Sequence, residues 1–86
     1  MIEADLINSN FEGADFSRAQ MMRTDLQNAN FSHANLTDAD LRNSHLTGVN
    51  FANADLSGAD LSGVYWDAEG APVWPAGFVA PTSATS

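Results

Sequence analysis

The residues able to do chemistry are few and scattered. Two histidines, His33 and His45, are accompanied by no cysteine, so thiolate metal sites and disulfides are excluded. Asp40 and Asp60 are twenty residues apart with Asp38 close by, and paired carboxylates at short range run acid–base reactions because each raises the other's pKa. Arg18, Arg23 and Arg42 are the only cations and could grip an anion together. Ser17, Thr37, Ser57 and Ser62 carry hydroxyls with no base beside them, and no glycine-rich loop could cradle a phosphate. Which of these meet depends on the elements that carry them.

Those elements are written in a period of five. Leu6, Phe11, Phe16, Met21, Leu26, Phe31, Leu36, Leu41, Leu46, Phe51, Leu56 and Leu61 form an unbroken apolar series, each preceded two residues earlier by a small residue and one residue earlier mostly by Asp or Asn. A step of five rotates a helix by roughly 140° per unit, so no apolar stripe would form. One continuous strand fails too, because an odd step alternates faces. A short extended piece followed by a two-residue corner satisfies the pattern, and each unit is then one side of a closed coil.

Asn10-Phe11, Asn30-Phe31 and Asn50-Phe51 recur at twenty residues, which predicts four sides per turn. The three phenylalanines then stack inside at about 4.8 Å, with the three asparagines as an amide ladder outside. Asp40 stacks over Asp60, Arg23 neighbours Arg42, and the histidines fall on different sides of different coils. Two solvated histidines, carboxylates on an open face, and arginines in local salt bridges are the expectation, with no metal, cofactor or catalysis. Asp38, Asp40, Asp55 and Asp60 are the candidate interaction surface. Glycines 13, 48, 58 and 63 occupy the second corner position, where a positive φ is convenient. Met22 and Ile7 point outward.

On the residues from Ala4 to Tyr65 the chain resembles the pentapeptide-repeat proteins. The resemblance implies a right-handed quadrilateral β-helix, here of about 3.5 coils, with the Leu/Phe and small residues inside. It says little about function, because a solenoid is a scaffold reused for many tasks.

The repeat, residues 1–65, is followed by an aromatic, proline-punctuated segment, residues 66–80, and then residues 81–86. The middle segment is expected to cap the last coil with Trp66, Trp74 and Phe78, and a W-P-x-G-F ending resembles those that follow other pentapeptide arrays. Residues 81–86 read as a disordered tail without an anchor. At the other end Met1 already occupies a column position. The first coil's raw edge is expected to be met by a second copy or an upstream domain.

Eleven acids, three arginines and no lysine give a net charge of −8. That balance argues against direct binding to nucleic acid or to an anionic membrane, both of which need clustered cations. No apolar run reaches transmembrane length and no signal peptide is recognisable, so the cytoplasm is expected. Two functions follow: an acidic protein-interaction or scaffold module, or a DNA mimic that occupies a DNA-handling enzyme. The resemblance carries the second, since gyrase-binding pentapeptide-repeat proteins confer fluoroquinolone resistance. Four coils at about 4.8 Å give a rod of about 19 Å, along which duplex DNA carries about eleven phosphates and only about six base pairs. That is short for a topoisomerase saddle, and the projecting loops of gyrase-protecting members are absent. The interaction module is the preferred reading.

Overall fold

The computed structural model describes residues 4–81 and 83. Among these, ten parallel bridges define the architecture, and nine join residues twenty apart, from Asp5 with Asp25 to His45 with Tyr65. The chain therefore lies over itself every four pentapeptides, as the recurrence of Asn-Phe predicts. The bridge residues are the Asp/Asn positions, and the flanking small and Leu/Phe residues turn inward. The backbone ladder repeats faithfully: Leu36 N–H donates to Asp55 C=O at 2.8 Å, Asp38 N–H to Ser57 C=O at 2.8 Å, and Asp55 N–H to Ala34 C=O at 3.0 Å.

The corners are tight turns in which the small residue's N–H donates to the C=O of the preceding Leu/Phe, as Ala34 does to Phe31 at 3.0 Å, Thr24 being the exception. Its second residue is left-handed at every corner from Asn8 to Gly63, with φ between 54° and 72°. That is the demand of a type II turn. Glycine meets it at four of these corners and Asn, Asp, His or Arg at the others.

Inside, Phe31 is fully buried between Phe11, 5.0 Å away, and Phe51, 5.6 Å away. Met21, Leu26, Leu36, Leu41, Leu46 and Leu56 are buried with it. Leu6, Phe11, Phe16 and Leu61 are only half-buried, since an outer coil has a neighbour on one side. Thr24 and Ser44 are buried at small positions on the first side, and Ser44 Oγ donates to Met21 C=O at 2.8 Å and accepts Thr24 N–H at 3.2 Å. Their polar atoms thus keep partners in the interior.

After Trp66 the count changes. The tenth bridge joins Asn50 to Val73, twenty-three residues on. The turn at residues 67–70, closed by Gly70 N–H to Asp67 C=O at 2.9 Å, absorbs the three extra residues. Pro72 then takes the buried small position and Trp74 the column position, stacked on Phe51 at 5.3 Å. Trp66 keeps its counted column position on the first side, next to the His45–Tyr65 bridge, and meets Trp74 edge-on at 5.8 Å, while Ala71, twenty residues after Phe51, is displaced from the second. Phe78 stacks on the other face of this group, 5.5 Å from Trp74. Residues 81–86 read from sequence as lacking an anchor, yet Ser83 Oγ accepts Trp66 N–H at 3.0 Å and donates to Trp66 C=O at 3.3 Å. Thr82 and residues 84–86 lie outside the described residues, as do residues 1–3, on which the bare first-coil edge was partly argued. No helix among the described residues is long and apolar enough to cross a membrane.

Candidate interaction surface

The outward Asp and Asn side chains are part of the corners. In ten units from Asp5 to Asp60 the side-chain Oδ1 accepts the backbone N–H two residues on, at 2.9–3.3 Å. This Asx turn supplies an acceptor to an N–H that the ladder leaves aside. It also corrects the amide-ladder expectation, because the Oδ1 atoms of Asn10, Asn30 and Asn50 turn to Glu12, Ser32 and Ala52. The recurrence of Asp/Asn at one position, three residues before a left-handed one, was the signal that could have revealed this role.

Bonding to N–H groups favours the ionised form. The backbone N–H of Ser17 holds the Asp15 carboxyl below its ordinary value, and that of Ser57 does the same for Asp55. The Ser62 hydroxyl does so for Asp60.

Asp40 and Asp60 do lie in one column. The expected upward shift of one of them is overturned, for Asp60 chiefly by Ser62 and for Asp40 by Arg42. Its Nε is 2.9 Å from Asp40 Oδ1, its Nη2 2.9 Å from Asp40 Oδ2, and its Nε 3.9 Å from Asp60 Oδ2. The guanidinium holds Asp40 below the usual carboxylate range, and Asp60 is lowered rather than raised. A local salt bridge is what the sequence reading expected of the arginines. Arg23 N–H donates to Arg42 C=O at 2.9 Å, and both residues, with Met22 and Asn43, line a crevice of about 180 Å³.

Asp55 sits on the side before Asp60, and Asp38 at the intervening corner one coil below, its carboxylate against Gly58. The four candidate acids therefore flank one corner of the coil. His33 and His45 do not meet. His33 is an exposed corner residue, whereas His45 is half-buried in the column of Asp25 and Tyr65. Its ring stacks on Tyr65 at 4.7 Å, its Nε2 is 2.7 Å from Thr47 Oγ1, and its Nδ1 is 3.8 Å from Asp25 Oδ1. Sequence reading missed this pair, although the twenty-residue spacing from 45 to 65 announces it. Among the described residues no three His, Asp or Glu side chains converge as a metal site would require.

No curated protein matches the sequence. Among solved structures, a pentapeptide repeat protein from the cyanobacterium Cyanothece 51142 is 30% identical with a TM-score of 0.49, over 86% of this chain and 46% of that one. One from Nostoc PCC 7120 is 29% identical with a TM-score of 0.47, over 87% and 69%. One from the Arabidopsis thaliana thylakoid lumen is 25% identical with a TM-score of 0.40, over 76% and 52%. This chain thus spans about half the length of the first and third. The family model for pentapeptide repeats (8 copies) matches residues 1–38 and 24–63, most of the chain, and the protein belongs to the pentapeptide-repeat family.

Proposed function

We propose that this chain is a non-enzymatic, acidic protein-interaction module. It is a right-handed, four-sided β-helix of about three and a half coils with an aromatic cap, and it presents the corner of Asp38, Asp40, Asp55 and Asp60 to a basic protein surface. The observation that carries the reading is the set of donors fixed against three of these carboxylates, those of Asp40, Asp55 and Asp60. Asp40, Asp55 and Asp60 accept fixed N–H or O–H donors that hold them ionised. Acid–base catalysis near neutral pH needs the opposite shift, whereas a permanently charged rigid face steers and selects a cationic partner.

Changing all four acids to Asn tests this, because Asn keeps both the Asx-turn acceptor and the tolerance for a left-handed corner. Affinity capture from host cells with wild type and the variant should show partners held by the first and lost by the second. Equal capture by both sinks the proposal.

Length weighs against the DNA mimic, because the stacked coils at about 4.8 Å each match only about six base pairs of duplex. Micromolar inhibition of gyrase supercoiling by this protein would reverse that preference.

A further inference from the structure

Two stretches of the third coil break the regularity of the backbone ladder. In the coil below, Leu36 and Asp38 donate upward on the third side and Leu41 and Asn43 on the fourth, to Asp55, Ser57, Asp60 and Ser62. Their counterparts one coil higher are Leu56, Gly58, Leu61 and Gly63, and among the described residues none of these four N–H groups has a partner. The chain runs past them without pairing, for Phe78 N–H turns back to Pro75 C=O at 3.1 Å.

Between the edge and this returning segment lies a groove of about 590 Å³, with Gly58 to Ser62 on one wall and Phe78, Val79 and Pro81 on the other. Its apolar groups are incompletely covered. Ala59 and Leu61 are only partly buried, where Ala39 and Leu41 beneath them are 1% and 0% exposed, and Val79 is 89% exposed. Asp60 stands on the rim of the same edge.

We propose that the fourth side of the third coil, at Ala59 to Gly63, is a docking edge for an extended basic segment of a partner protein, which adds as a parallel strand. This rests on the interaction-module reading and names its contact. All ten bridges are parallel and set the register. A small residue of the partner lies inward over Ala59, a Lys or Arg outward over Asp60, and an apolar residue inward over Leu61. Its carbonyls accept the Leu61 and Gly63 N–H groups. Main-chain bonds of this kind supply affinity and the alternating side chains supply selectivity. The acidic rim favours a basic strand over a second copy of this chain, which carries its own −8.

The test titrates the 15N-labelled full chain with the peptide acetyl-Gly-Ala-Lys-Leu-Ser-amide and a scrambled peptide of equal charge, reading amide exchange residue by residue. The expected result is protection of the Leu61 and Gly63 amides rising by about tenfold or more with the ordered peptide only. Asp60→Asn should weaken that binding about fivefold, and Asp5→Asn, on another side, should not. Three outcomes overturn the docking edge: no binding of the ordered peptide, equal binding of both peptides without protection of those amides, or protection that rises with protein concentration alone, which would assign the edge to a second copy. The first two leave the wider proposal standing, since the capture experiment depends on four acids and not on this ladder.

Discussion

At the scale of single residues, the second corner position carries the sharpest backbone demand. Arg18 holds φ 61° there with a side chain that gains nothing from the left-handed region, whereas Gly13 holds φ 71° with open space around a notional Cβ. An L-residue pays about 1–2 kcal/mol in that region and glycine about 0.5–1 kcal/mol in lost freedom. Arg18→Gly should therefore stabilise by about 0.5–1 kcal/mol and Gly13→Ala destabilise by a similar amount, read as opposite shifts of the urea midpoint at constant slope. A second residue-scale expectation concerns Phe31, which is fully buried in the middle of the aromatic column. Phe31→Ala should cost about 3–5 kcal/mol, and a loss under about 1 kcal/mol in urea unfolding would contradict its place inside.

At the scale of the pentapeptide unit, the Asx turn couples charge to shape. Asp15, Asp55 and Asp60 have folded-state pKa values lowered by N–H and O–H donors from Ser17, Ser57 and Ser62. The folded state then binds fewer protons than the unfolded chain just below the ordinary carboxylate pKa, so stability falls as pH falls in that window. The contribution is fully present above about pH 5 and is lost progressively below about pH 4. Asp55→Asn keeps the acceptor and removes the titration, so melting temperatures measured from pH 7 to pH 3 should fall less steeply for the variant. An equally steep fall would mean that this carboxylate is not coupled to folding. The last unit behaves differently, because Trp74 and Phe78 close the column over Phe51. A chain ending before Trp74 should aggregate or unfold. One lacking residues 81–86 should change little, losing the Ser83 bonds to Trp66 at about 1 kcal/mol each or less, visible as a small drop in melting temperature.

At the scale of the whole molecule, the chain carries eleven acids and three arginines, and Arg42 is committed to Asp40 and Asp60. Duplex DNA should show no measurable binding near physiological salt, since no counterions would be released. A shift in a fluorescence-anisotropy titration with a labelled duplex would refute that electrostatic argument. A second copy meeting the first coil is a proposal at this scale, checked by light scattering over a concentration series. A strict monomer at high micromolar concentration would remove it.

Period, inside and outside, and the number of sides were legible in the sequence. They rest on alternation over two residues and recurrence over twenty, and a repeat leaves the chain one economical way to satisfy both. The column from Leu6 to Leu61 and the stack of Phe11, Phe31 and Phe51 therefore needed no coordinates to foresee. Only the tertiary structure decided matters of direction. Arg42 could reach several acids, and its rotamer selected Asp40, while the Ser62 hydroxyl and N–H lower Asp60 against the opposing charge of Asp40, so the upward shift expected of two stacked carboxylates is reversed. Trp74 gained the column position over Phe51 that counting assigns to Ala71, because a turn can absorb three residues without disturbing the ladder on either side. The open edge at Leu61 and Gly63 was equally hidden, since an unmet N–H is a property of what the rest of the chain fails to place above it.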